Sequence, residues 1–228
     1  MGVNGGLEQF VADIFHEVDE EVRRERLQKL WDRYSVYIIG LAVLIVASIG
    51  AWQGYQWWEA KKAAAAGAAF ESALSLSEEG KHAEADAAFA KIAADAPSGY
   101  RTLARLRAAG ELAQTKPADA VKAYDELAAD ASLGSTLQDL AAVRAGMLMV
   151  DTASLAEMQR RLGPVAEPGH AFRHNARELL AMSAWRNHDF TAARRYIDMI
   201  AADGETPPGT RARADVLSAL IAADGSKS

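Results

Sequence analysis

From Tyr34 to Trp58 the chain runs through twenty-five residues without a charge, YSVYIIGLAVLIVASIGAWQGYQWW. As a helix rising about 1.5 Å per residue this run reaches about 37 Å, enough to cross a hydrocarbon layer of about 30 Å with some tilt. Aromatic rings mark both ends: Trp31, Tyr34 and Tyr37 on one side, Trp52, Tyr55, Trp57 and Trp58 on the other. Amphipathic rings settle at the headgroup level of a bilayer, so the run reads as one transmembrane helix over 34–58. A cleaved signal peptide is the competing reading. It calls for a short basic leader and an apolar stretch of about 7–15 residues, and here the leader is long and acidic.

Basic residues near the span set its direction. Arg23, Arg24, Arg26, Lys29 and Arg33 precede it, whereas Lys61 and Lys62 alone follow closely. The positive-inside rule places residues 1–33 in the cytoplasm and residues 59–228 across the membrane. Within the first segment Val11, Phe15, Val18 and Val22 share a helical face. Asp19 with Arg23, Glu20 with Arg24 and Glu25 with Lys29 set an acid four residues before a base, the favourable order on a helix.

The large part is rich in alanine, sparse in aromatics and free of β-branched runs, which points to closely packed helices and an all-α fold. A net charge of −6 argues against a nucleic-acid surface, and the lack of cysteine excludes thiolate metal sites, disulfides and a cysteine nucleophile.

Repetition organises this part. Ala85, Phe89 and Ile92 recur as Ala120, Tyr124 and Leu127 and again as Ala193, Ile197 and Ile200, each set spaced 0, 4 and 7. Twelve residues before each leading alanine stands another: Ala73, Ala108 and Ala181. A period near 35 residues with paired small residues is the pattern of helix-turn-helix repeats of the tetratricopeptide type. Between the second and third windows lies a stretch of one repeat length, and Ala156 is taken as its leading alanine. Gly163 and Pro164 should end its second helix early. The expected architecture is a transmembrane helix followed by a tetratricopeptide-repeat-like α-solenoid of about four repeats, with residues 209–223 as a capping helix.

Such a stack presents a concave surface lined by the first helix of each repeat. In this register its inward places hold Phe70 and Leu74, then Arg105 and Leu112, then Leu148, then Met182 and Trp185, a set suited to an extended polypeptide. The same side chains would equally serve as packing between repeats. His170, His174 and Glu178 follow at intervals of four, as metal ligands on one helix might, yet Pro168-Gly169 sets His170 at or before the helix start. His82 and His188 read as solvated turn residues. No nucleophile-elbow serine, phosphate-binding glycine loop or HExxH occurs, so no catalytic residue, metal or cofactor is expected. A hydrolase would need one pocket joining His174, Arg177 and Glu178.

The run FHEVDEEVRRERLQKLWDRY leading into a single anchor, followed by Ala-rich repeats, resembles the YfgM-like family of bacterial inner-membrane proteins, the ancillary subunit of the SecYEG translocon. The resemblance implies a non-enzymatic periplasmic interaction domain whose partners are Sec translocon subunits, periplasmic chaperones and exported polypeptides. An envelope-assembly or cell-division scaffold recruiting one defined partner is the alternative, and a cytoplasmic repeat protein of lipid regulation a third.

Overall fold

A computed structural model describes the backbone of residues 5–225 and the side chains of residues 31–224. The chain divides into two units, residues 1–61 and 62–228. Nine α-helices and two short 3-10 turns make up the described residues, with no strand among them. The face and the acid–base pairs read between Val11 and Lys29 lie outside the described side chains.

The first helix, α1, spans Gly5–Glu78. Its apolar stretch reaches a mean hydropathy of 2.2 and is long and apolar enough to cross a membrane. From Trp31 to Trp58 every side chain but Ser35 is exposed, including Ile38, Leu41, Ile45 and Ile49. A continuous apolar band of this kind is not stable against water alone. At its far end Lys61 lies over the Trp57 ring at 5.3 Å, and Tyr55 and Trp58 pack with centroids 6.2 Å apart.

The second unit is a series of helical hairpins. The end of α1 packs on α2 (His82–Asp95). Next come α3 (Ser98–Thr115) with α4 (Pro117–Ala129), then α5 (Ser135–Met149) with α6 (Leu155–Leu162). The fourth hairpin pairs α7 (Arg173–Arg186) with α8 (Phe190–Ala202), and α9 (Pro208–Gly225) lies against both. The paired alanines explain the close packing: Ala73, Ala85, Ala120, Ala181 and Ala193 are fully buried, while Ala108 is half-buried with Ala104 and Ala109 fully buried on the same helix. Without side chains beyond Cβ they let backbones approach, and Phe89, Leu127 and Ile200 fill the space between neighbouring hairpins. Phe70 meets Phe89 edge to face at 5.1 Å, a contact worth about 1 kcal/mol beyond its buried area.

Local chemistry sets the helix ends. Pro117 begins α4, where its missing N–H costs nothing. Ser154 caps α6 by accepting from Glu157 N–H at 3.3 Å, while the Glu157 carboxylate is held by Arg160 and Arg161. Two turns share one geometry. Lys81 N–H reaches back to Leu76 C=O around Gly80 at φ 75°, and Asp189 N–H reaches Ala184 C=O around His188 at φ 61°. Both are left-handed helix stops, one made by the residue that favours them and one by a histidine.

The third hairpin departs from the expected register. Ala156 is exposed, whereas Met158, Leu162 and Val165 are buried at the 0, 4 and 7 places. Twelve residues before Met158 stands Gly146, also buried. A large residue has entered the second helix, and the first helix has given up its last side-chain carbon. The shortened α6 ends at Leu162, and a 3-10 turn over Pro164–Ala166 carries Val165 into the core.

Candidate functional site

Along the first helices of the hairpins the second unit carries two adjoining clefts, separated by α5. The first, of about 420 Å³, lies among α1, α3 and α5 with Leu103, Leu106 and Leu140 on its walls and Tyr124 at its base. Glu111, 6 % exposed, is the carboxylate among its lining residues, and both of its oxygens are occupied. Ser77 Oγ donates to one at 2.6 Å and His82 Nδ1 to the other at 2.7 Å. His82 is therefore a half-buried tie between hairpins, a correction to its reading as a solvated turn residue. The serine and the imidazole meet the acid separately. An activated nucleophile would instead pass its proton to the imidazole.

Arg107 and Arg144 complete this cleft from α3 and α5. Both are exposed, and neither has a hydrogen bond or ion pair among the described residues. Their neighbours differ sharply. Arg105 pairs with Asp130 at 2.6 Å, Arg161 binds both Glu157 and Asp125, and Arg173 and Arg177 converge on Asp203 at 2.8 and 2.9 Å. Burial raises the Tyr124 hydroxyl above its ordinary pKa of 10.0, opposed by the positive charges of Arg144 and Arg107 and aided by Glu111. The two cations share the cleft with Glu111, whose oxygens are taken by Ser77 and His82, and form no ion pair of their own among the described residues.

The second cleft, of about 350 Å³, lies between α5 and α7 and is closed on one side by Arg213 of α9. Val143, Met147, Val150, Leu179 and Met182 give it an apolar lining. Met147 is 53 % and Met182 38 % exposed, unusually open for side chains whose value lies in apolar contact. Arg213 is held by both oxygens of Glu178, an interaction that raises its pKa, so it closes the cleft without offering a free charge.

The seven residues singled out from the sequence are placed differently from one another. Met182 lines the second cleft and, with Trp185, a smaller one of about 220 Å³ against α9. Trp185 Nε1 donates to Asp224 Oδ2 at 3.0 Å. Phe70 and Leu74 pack on the cluster around Phe89, and Leu148 on that around Leu127. Arg105 is engaged by Asp130, and Leu112 is half-buried and lines neither cleft. Met147, Arg107 and Arg144 were not foreseen. A signal for Met147 existed: Met182 stands eleven residues before Ala193, and Met147 stands eleven before Met158.

His170, His174 and Glu178 diverge. His170 Nδ1 donates to the buried Asp139 at 2.8 Å, and Glu178 holds Arg213. His174, 6 % exposed, is fixed by Thr206, whose single hydroxyl proton goes to Ile200 C=O at 2.7 Å. That hydroxyl accepts from His174 Nδ1–H at 3.1 Å. Burial, then the Arg173 charge, holds the His174 pKa below its ordinary 6.5, with Asp203 opposing. Among the described residues no group of three His, Asp or Glu side chains is placed to hold a metal ion. Arg177 bonds Ala166 C=O, Met199 C=O and Asp203, so His174, Arg177 and Glu178 do not join in one pocket.

The tetratricopeptide repeat-like domain family model matches residues 28–206, well over half of the chain. The chain belongs to this family. The match runs from the foot of the apolar stretch through all four hairpins and stops before α9. No curated protein and no solved structure matches the chain. Tetratricopeptide repeat-like domains serve as protein-interaction modules.

Proposed function

We propose that the chain is a membrane-anchored interaction protein of the bacterial envelope. Its N-terminal segment is cytoplasmic, one helix over 34–58 spans the inner membrane, and the repeats stand in the periplasm beside the Sec translocon. There they engage exported polypeptides and periplasmic chaperones without catalysis. The observation that carries this reading is the paired clefts on either side of α5, open and provided with unpaired cations and exposed methionines. The basic residues before the span and the resemblance of FHEVDEEVRRERLQKLWDRY to the YfgM-like family support the placement. Tethering raises the effective concentration of a modest-affinity groove at the site of emergence, so tight binding is not required.

The test is co-purification in mild detergent together with a topology reporter fused after Ser228. Translocon subunits and chaperones in the eluate, with an external reporter, support the proposal. A cytoplasmic C-terminus removes it. A scaffold that recruits one envelope-assembly or division partner predicts a single crosslinked species from a photoreactive group at Met182, where client binding predicts many nascent exported chains.

A further inference from the structure

We infer that the two clefts act as one bipartite reader of extended polypeptide, taking an acidic residue on one side of α5 and a large apolar residue three to four positions away on the other. This rests on the interaction reading above and specifies which segments are taken.

Charge complementarity fixes the first half. Arg107 and Arg144 come from different helices, face one cleft and have no anion among the described residues, while its own carboxylate, Glu111, is already bound by Ser77 and His82. In a chain of net charge −6, where Arg105, Arg161, Arg173, Arg177 and Arg213 all find acids, two free guanidinium groups at one cleft leave a place for a carboxylate from outside. A basic or uncharged segment gains nothing there.

Surface chemistry fixes the second half. Met147 and Met182 occupy the same repeat position on α5 and α7 and leave much of their thioether chains in water. Flexible, polarizable side chains of this kind accommodate many apolar shapes, so the second cleft selects for size and hydrophobicity and not for one residue.

The helix between them fixes the spacing. Arg144 lines the first cleft and Met147 the second, and both are carried by α5. A segment crossing it travels about one helix diameter, about 10 Å. Extended chain covers that in three to four residues at about 3.3 Å each. An extended segment also leaves its backbone free to bond side chains on the groove walls, such as Gln114 and Asn175.

The experiment uses the full chain in detergent micelles and fluorescein-labelled synthetic peptides in a Gly/Ser/Thr background, read by anisotropy. One peptide carries Asp-Glu and Leu-Leu pairs three residues apart, a second carries them eight apart, and a third replaces the acids by lysine. Each order of acid and apolar pair is made. The inference expects saturable binding of the first. It expects about fivefold to tenfold weaker binding for the second and third peptides, and for Arg107→Glu, Arg144→Glu and Met147→Glu. Binding should weaken with salt for the wild type and lose that dependence in the double arginine variant. Arg107→Gln and Arg144→Gln replace the reversals if helicity falls. Equal binding of all peptides, or arginine variants that bind like wild type, overturns the inference. So does concentration-dependent self-association abolished by the same substitutions, which would make a second copy the occupant. Peptide binding absent while translocon subunits still co-purify removes this inference and leaves the proposed function standing.

Discussion

Gly146 lies so close to Leu162 that a β-carbon on the glycine would come within 2.8 Å of Leu162 Cδ1. The other three hairpins place alanine at the position of Gly146, and the third alone pairs it with a methionine twelve residues on. Gly146→Ala should therefore lower stability although alanine favours helix. Leu162 is fully enclosed and its side-chain end has little room to turn away, so a loss of about 1–3 kcal/mol is expected. Urea titration of the full chain in micelles measures it. Combined with Leu162→Ala, the loss should be smaller than the sum of the two single effects.

His188 is a non-glycine residue at φ 61°, in the turn geometry that the first hairpin builds with Gly80. A β-carbon in that conformation costs about 1–2 kcal/mol, and glycine returns part of the gain through the entropy of the unfolded chain. His188→Gly should raise the unfolding midpoint, with a net gain of about 1 kcal/mol at most. Gly80→Ala should lower it. Thermal melts of both variants test the pair of signs.

Acid should destabilise the repeats in two stages. His174 titrates below its ordinary 6.5 in the folded chain, so the unfolded chain takes up the proton first and stability falls as pH drops from about 6.5. Hydrogen bonds from Arg173 hold Asp203 well below its ordinary 3.8, and those from Arg105 hold Asp130 down at about 2. Their contribution is present above 3.8 and is lost as pH falls through the folded values. The urea midpoint should be flat above about pH 7, decline below about 6.5 and decline again below about 4. His174→Asn should abolish the first decline and leave the second.

Removing α9 should cost solubility as well as stability. Ala214, Leu217 and Ile221 are buried in the cluster that includes Leu180, Ile197 and Ile200. Ending the chain after Glu205 uncovers that cluster, and an uncapped repeat end associates. Gel filtration in detergent should show larger species, and Leu217→Asp should reproduce them in part.

Much of the fold was legible because its signal is local. Alanines at fixed intervals, with one large residue four places on, identify three hairpins wherever they fall in the chain. The third was misplaced by two residues because Ala156 imitates the leading alanine while Met158 and Gly146 have exchanged volumes. That slip also changes which side chains of α5 are counted toward the second cleft. Counting fifteen, eleven and eight residues back from Met158 gives Val143, Met147 and Val150, which line the second cleft; counting eight from Ala156 gives Leu148, which packs away from it. The first cleft was less legible for a different reason. Arg105 and Arg107 are nearly adjacent and chemically alike, and what separates them is that Arg105 pairs with Asp130, whereas Glu111, four residues on from Arg107, is taken by Ser77 and His82. His82 and Glu111 meet across 29 positions, a distance at which residue type alone carries no pairing information.

The two imidazole–carboxylate contacts bear on how the array comes apart. Glu111 on α3 is held by His82 from the hairpin before it, and Asp139 on α5 by His170 just ahead of α7. Peeling one hairpin from the next would strand an acid in a place built to exclude water, at a cost that rises at the first step of separation. Repeat arrays built on apolar contact alone can fray from their ends one unit at a time. Here an imidazole–carboxylate tie joins the first two hairpins and another the last two, and Arg161 on α6 reaches back to Asp125 on α4 across the joint between these couples, so that no joint of the array is left to apolar contact alone.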